Sequence, residues 1–239
     1  PDAVINAAAY TAVDRAEEEE DRAFLANATG TANLARACAE RGIDLIHVST
    51  DYVFDGTSTR PYRPNDAPNP IGAYARSKRE GERCVEQAFQ QATSRWWVVR
   101  VAWLCDVRGH NFMQTMLRLG REGKSLRVVD DQHGAPTFAR PFAQALLELA
   151  ANPERVPSGI WHYSPEGITT WHGFAAAIFD LYGLEVNLAP CSTDAYPTPA
   201  KRPAYSYLDG SEFAQALGVP QHHWREALAI EIDQLNQEN

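Results

Sequence analysis

The chain has 239 residues, 44% of them apolar and 22% charged, which is enough for a buried core and excludes a disordered polypeptide. Its net charge of −9, with no basic run, excludes a general nucleic-acid binder, because such a surface repels phosphates. No stretch approaches the roughly 20 apolar residues that span a bilayer, and no signal peptide opens the chain, so no membrane partner and a cytoplasmic location are expected.

In chain order, Ala3–Ala9 is a short apolar run and reads as a buried strand. The acidic stretch from Asp14 to Asp21, of which Glu17–Asp21 reads as a solvated run rather than a metal site, leads into a helix over Arg22–Arg41, with Gly42 as its stop. Ile43–Ser49 is the next strand, Thr50–Ile71 a Pro/Gly/Asp-rich loop, Tyr74–Gln90 a helix and Trp96–Trp103 a strand. Strand and helix thus alternate through residues 1–105, which predicts an α/β fold: a Rossmann-like parallel sheet with helices on both faces. Beyond it, helices are expected over Asn111–Leu119, Arg140–Ala151 and Thr170–Leu181, with strands at Leu126–Val129 and Ile160–Tyr163. Tyr196–Pro203 reads as a loop, followed by two short helices. Residues 106–239 are expected to form a smaller, mainly substrate-binding α/β region beside the sheet's carboxyl edge, where open α/β sheets bind ligands.

Cys38, Cys84, Cys105 and Cys191 lie far apart with no CxxC pair, as expected of free thiols in a reducing compartment. The histidines at 110, 133, 162, 172, 222 and 223 have no metal-ligand spacing, so no metal ligands are assigned. Trp96 and Trp97 read as packing residues.

Three segments combine the residue types of a hydride-transfer site. Tyr74 and Lys78 are four apart and share a helix face, where an ammonium can lower the pKa of a phenol that acts as a general acid. Ser49, Thr50, Asp51 and Tyr52 close the strand before that helix, so a hydroxyl there can reach a substrate carbonyl. Asn6 to Thr11, with three alanines, closes the first strand and admits a ligand close to the backbone. Each segment alone is also what a surface pair, a capped turn or tight helix–sheet packing would look like.

The segments VINAAAYTAVDRAE, LIHVSTDYVFDG, YARSKREGE, NFMQTMLRLGREGKSLRVVDDQHGAPT and YPTPAKRPAYSYL resemble those of the dTDP-4-dehydrorhamnose reductases, in register from Pro1 to about Leu208. That family belongs to the extended short-chain dehydrogenase/reductases. The resemblance implies reduction of the C4 keto group of dTDP-4-dehydro-6-deoxy-L-mannose by NADPH. It assigns Thr50, Tyr74 and Lys78 as the catalytic set, with Tyr74 and Lys78 also at the cofactor. It places Ala9, Tyr10 and Thr11 against the cofactor, and Thr50, Asp51 and Trp103 against the sugar. Lys201 and Arg202 lie in the Pro-rich loop, where a basic group meets a diphosphate or, as more often, forms a surface pair. NADH as cofactor, a Mg²⁺ requirement and a homodimer stay open. So do a non-catalytic relative, such as the regulatory β subunit of methionine adenosyltransferase, and another sugar-nucleotide reductase or epimerase.

The sequence departs from the family in two ways. Ala75 and Arg76 follow Tyr74, where the family usually has glycine and a variable residue. No strand, glycine-rich turn and helix that would cradle a pyrophosphate is found; Gly120-Arg-Glu-Gly123 is a helix end. On this resemblance roughly fifty residues precede Pro1 in the family, and the chain by itself is expected to bind NADPH weakly and to be inactive.

Overall fold

The computed structural model describes residues 1–238. Strand β1 (Ala3–Asn6) is followed by α1 (Glu20–Phe24), a π-helical turn (Leu25–Gly30) and α2 (Thr31–Glu40), which run on as one helical rod. Next come β2 (Asp44–Thr50), α3 (Ala73–Ala88), β3 (Trp96–Val101), β4 (Leu104–Cys105), α4 (Phe112–Arg121) and β5 (Leu126–Val129). The chain continues through β6 (His133–Gly134), β7 (Thr137–Phe138), α5 (Ala139–Ala151), β8 (Gly159–Tyr163), β9 (Thr169–Thr170) and α6 (Trp171–Leu181). It closes with β10 (Leu188–Cys191), α7 (Ser211–Leu217) and α8 (Trp224–Glu238).

The main sheet is parallel throughout, in the order β1-β2-β3-β8. Its strands are apolar on both faces because helices cover both. On one face Leu45 and Val98 pack with Ala35 and Cys38 of α2 and Val85 of α3. On the other, Ile46, Trp97 and Val99 pack with Phe142 and Leu146 of α5 and Phe213 and Leu217 of α7. A second core joins α4, α6 and α8 through Met113, Leu117, Phe174, Ile178, Trp224 and Leu228, capped by the β5–β10 pair. The division expected at residue 105 is therefore interleaved: β8, α5 and α7 return from the second part to complete the main sheet and one of its covering layers.

Several boundaries differ from the sequence reading for identifiable reasons. β1 stops at Asn6 because its side-chain oxygen accepts the Ala8 backbone N–H at 3.2 Å, which turns the chain out of the sheet and leaves Ala7–Ala9 exposed. β3 stops at Val101, and Trp103 beyond it takes a left-handed conformation with φ 48°. The closing helix α8 spans 15 residues and is not short. Strand β10, unmarked in the sequence, forms only because β5 offers it an edge. All four cysteines are free thiols, and Trp97 is fully buried. Among the described residues no helix is long and apolar enough to cross a membrane.

The acidic run is not merely solvated. Glu17 accepts the Ala73 backbone N–H at the start of α3 at 2.9 Å, Glu19 accepts the Tyr10 hydroxyl at 2.8 Å, and Glu20 pairs with Arg76 at 2.8 Å. Glu17 and Glu20 tie this stretch to the N-terminal end of α3, where the helix dipole is positive, and Glu19 ties it to the loop beyond β1.

Candidate active site

Thr50 ends β2 and caps the short turn of Asp51–Val53: its hydroxyl oxygen accepts the Tyr52 N–H at 3.2 Å and the hydroxyl donates to Asp51 Oδ1 at 2.9 Å. Tyr74 is the second residue of α3, and its ring meets Tyr52 edge-on at 5.6 Å between centroids. Lys78 lies one turn on, with only 2% of its surface exposed, and its ammonium donates to the Val48 carbonyl at 2.7 Å. The carboxyl end of β2 and the first turns of α3 therefore bring the three residues into one corner.

Helix α3 is held there by buried polar contacts. Glu82, one turn beyond Lys78, accepts from Arg100 Nε and Nη2 of β3 at 2.9 and 2.8 Å and from the Ser49 hydroxyl at 2.6 Å. Both charged side chains are wholly buried, so the pair fixes one position of the helix on the sheet. Gly81 allows α3 to approach the π-helical turn: a Cβ there would lie 2.2 Å from the Asn27 carbonyl oxygen. Asn27 also donates to Ser77 Oγ at 2.9 Å and clamps the Tyr10 backbone through its N–H and carbonyl at 2.8 and 3.1 Å.

The electrostatics correct one expectation. Burial pushes the Tyr74 phenol up to about 12, against a downward pull from the Thr50 hydroxyl. The Lys78 ammonium is turned into the sheet toward Val48 and does not offset that burial. Tyr74 is thus fully protonated at neutral pH, the form a proton donor requires. Burial also lowers Lys78 to about 8, opposed by Glu82. Asp51, 3% exposed with Oδ2 unpartnered, is raised to about 7 by burial, against the Thr50 hydrogen bond and a weaker pull from the Ser206 hydroxyl.

Beside this corner lies a cleft of about 570 Å³, lined on its apolar side by Trp103, Phe112, Met116 and Trp171 and on its polar side by Asp14, Gln132 and Arg202. Tyr52, which packs on Tyr74, forms its near wall. Trp103 stacks on Trp171 at 3.7 Å with 12° between the planes. Gly134 is required for this, because a Cβ there would lie 2.7 Å from the Trp103 ring. A second cleft, about 460 Å³ between α5, α7 and α8, is lined by neither Tyr52 nor Trp103.

The sequence-assigned residues converge unequally. Ala9 and Thr11 are exposed just beyond β1, on the carboxyl side of the sheet. The Tyr10 phenol is bound to Glu19, so its side chain belongs to the helix-docking contacts and only its backbone borders the strand end. Arg202 pairs with Asp14 at 2.7 Å through Nη2, while Nη1 is buried with no partner; Lys201 is exposed and outside the cleft wall. His47, Asn27, Glu82 and Trp171 have no role in the sequence reading, and Asn6 enters it only as the start of the Asn6–Thr11 strand end. Glu82 alone had a local signal, since it repeats the Tyr74–Lys78 spacing one turn on.

The small exposed residues beyond β1 and the unused donors of Lys78 suit the nicotinamide end of a dinucleotide. Among the described residues no group of three or more His, Cys, Asp or Glu could hold a metal ion, and no glycine-rich turn joins a strand to a helix.

The model of the RmlD substrate-binding domain family matches residues 1–237. The chain belongs to that family. It is 45% identical over 237 residues to the dTDP-4-dehydrorhamnose reductase of Mycobacterium tuberculosis, covering 97% of this chain and 76% of that relative. The crystal structure of a dTDP-4-dehydrorhamnose reductase from Clostridium acetobutylicum superposes with a TM-score of 0.90 at 39% identity, covering 99% of this chain and 81% of the other. That of the Bacillus anthracis reductase in complex with NADP gives 0.90 at 35% identity, covering 98% and 81%. The Rossmann-like fold expected from the strand–helix alternation is therefore shared with these reductases.

Proposed function

We propose that the protein is a dTDP-4-dehydrorhamnose reductase that delivers hydride from NADPH to the C4 keto group of dTDP-4-dehydro-6-deoxy-L-mannose. The observation that carries this reading is the Thr50, Tyr74 and Lys78 corner beside an aromatic cleft, in a chain so similar to reductases over nearly its whole length. NADPH, when bound, supplies the hydride.

In this reading Tyr74 gives its proton to the C4 oxygen as the hydride arrives at C4, so the ketone becomes an alcohol. Thr50 turns its single O–H from Asp51 Oδ1 to the same carbonyl and polarises it. Lys78 uses its remaining donors on the nicotinamide ribose, beside Ala9 and Thr11. Asp51 holds a sugar hydroxyl, and Trp103 flanks the sugar. Arg202, with one guanidinium nitrogen free of protein partners, meets the diphosphate. The first part of the chain then serves cofactor and catalysis, and the α4–α6–α8 part chiefly serves the sugar nucleotide.

The test is NADPH oxidation by the full-length protein with the dTDP-keto-sugar, with dTDP-L-rhamnose identified as the product. Absence of turnover under conditions where a reductase of this family is active would refute the reading. NADH in a parallel assay gives the cofactor preference.

A further inference from the structure

Behind Lys78 the sheet holds a buried polar chain that the reaction above does not use. His47 sits in mid-β2, fully buried and in register with Asn6 of β1. Asn6 donates its side-chain N–H to His47 Nδ1 at 3.0 Å, while its own oxygen is occupied by the Ala8 N–H. The other ring nitrogen, Nε2, lies 3.4 Å from Lys78 Nζ.

A neutral imidazole carries one N–H and one lone pair. Burial and the Lys78 charge hold His47 neutral, with its pKa pushed down to about 3. Asn6 takes the lone pair of Nδ1, so the proton sits on Nε2 and faces Lys78. Two donors meet there, so the imidazole does not accept from the ammonium. It forms a wall that the ammonium cannot pass, and the nearest acceptor is the Val48 carbonyl at 2.7 Å. One hydrogen is used on Val48, and the others are left for a ligand.

We propose that His47, its ring fixed by Asn6, is a positioning residue that sets where the Lys78 ammonium stands and keeps its remaining donors free for the cofactor. This rests on the reading of Lys78 as the cofactor-binding lysine. The charged groups around the pair are Glu82 on α3, with Arg100 of β3 and Arg79 of α3 bonded to it; β1 contributes the neutral Asn6.

The experiment compares His47→Leu, His47→Gln, Asn6→Ala and Lys78→Met in the full-length protein. It reads NADPH affinity by cofactor fluorescence, kcat and KM, and the titration of carbon-labelled Lys78 by NMR without ligand. A misplaced lysine should weaken NADPH use by ~10- to 100-fold in His47→Leu, the scale of a displacement of about 1 Å. Glutamine, which can still present an N–H to Lys78, should restore most of that, and the Lys78 titration should move in His47→Leu and in Asn6→Ala, and stay near the parent's in His47→Gln. If His47→Leu does not fold, the Lys78 titration in Asn6→Ala decides the matter: a moved titration supports the role of His47, and an unmoved one overturns it, since NADPH use there also depends on the Ala8 N–H that Asn6 holds. A folded His47→Leu with normal NADPH affinity and an unmoved Lys78 titration, alongside a defective Lys78→Met, would overturn the role of His47 alone. Normal NADPH use by Lys78→Met would overturn the reading of the site together with the inference.

Discussion

Asp51→Asn isolates the energetic consequence of burying a carboxyl at the site. The Asp51 side chain is 3% exposed, Oδ1 accepts from Thr50 and Oδ2 has no partner. Burial raises the folded carboxyl from 3.8 to about 7, against the opposing Thr50 hydrogen bond and a weaker pull from the Ser206 hydroxyl. The folded state therefore holds its proton more tightly than the unfolded chain. The stabilisation this provides is fully present below about pH 4 and is lost as pH rises to about 7. A shift of about three units at ~1.4 kcal/mol each makes the loss about 4 kcal/mol. Asparagine has nearly the same shape and does not titrate, so it escapes this loss. Its amide places a donor where Oδ2 lacks a partner, a penalty common to every pH. Other shifted carboxyls, such as Glu82 and Asp66, are held low and occur in both proteins, so they cancel in the comparison. Urea unfolding of both proteins at about pH 4 and about pH 8 measures the effect. The asparagine protein should gain on the parent by roughly 2–4 kcal/mol between the two pH values. Parallel pH curves, with a gap constant to within ~0.5 kcal/mol, would refute a buried carboxyl at position 51 whose burial outweighs its hydrogen bonds.

Four further outcomes are expected. Tyr74→Phe should lower kcat by ~100-fold or more with NADPH binding nearly unchanged, and wild-type turnover would remove Tyr74 as the proton donor. Because Lys78 is held near 8 and acts as an ammonium, the pH profile of kcat/KM should fall on its alkaline side with a midpoint near 8; a profile flat to about pH 10 would contradict that role. Gly81→Ala drives a Cβ against the Asn27 carbonyl, a backbone atom that cannot swing aside, and should cost about 1–3 kcal/mol in unfolding experiments and lower kcat by displacing α3. Trp103→Ala should raise the sugar-nucleotide KM about tenfold with little change for NADPH; a folded variant with an unchanged KM would reduce Trp103 to a packing partner of Trp171.

The sequence by itself determined the α/β class, because apolar runs of strand length alternate with segments of helical period and strands buried on both faces have no polar side to mark. It also fixed the Tyr74–Lys78 pair, whose spacing on one helix face is a local property, and the Thr50 strand end that precedes it. Tertiary structure decided everything that depends on separation along the chain. The pairing of Arg100 with Glu82, the approach of Asn27 to Gly81 and the docking of the acidic residues onto α3 each join segments with no common local pattern. So does the return of β8 to the sheet, which interleaves the two parts that the sequence suggested as consecutive. The protonation states belong to the same category. The spacing of Tyr74 and Lys78 suggested a lowered phenol, but burial and the turn of the ammonium toward Val48 left it high. A sequence places charges along a chain; only the fold sets how far they stand from each other and from water, and those two distances govern their energies.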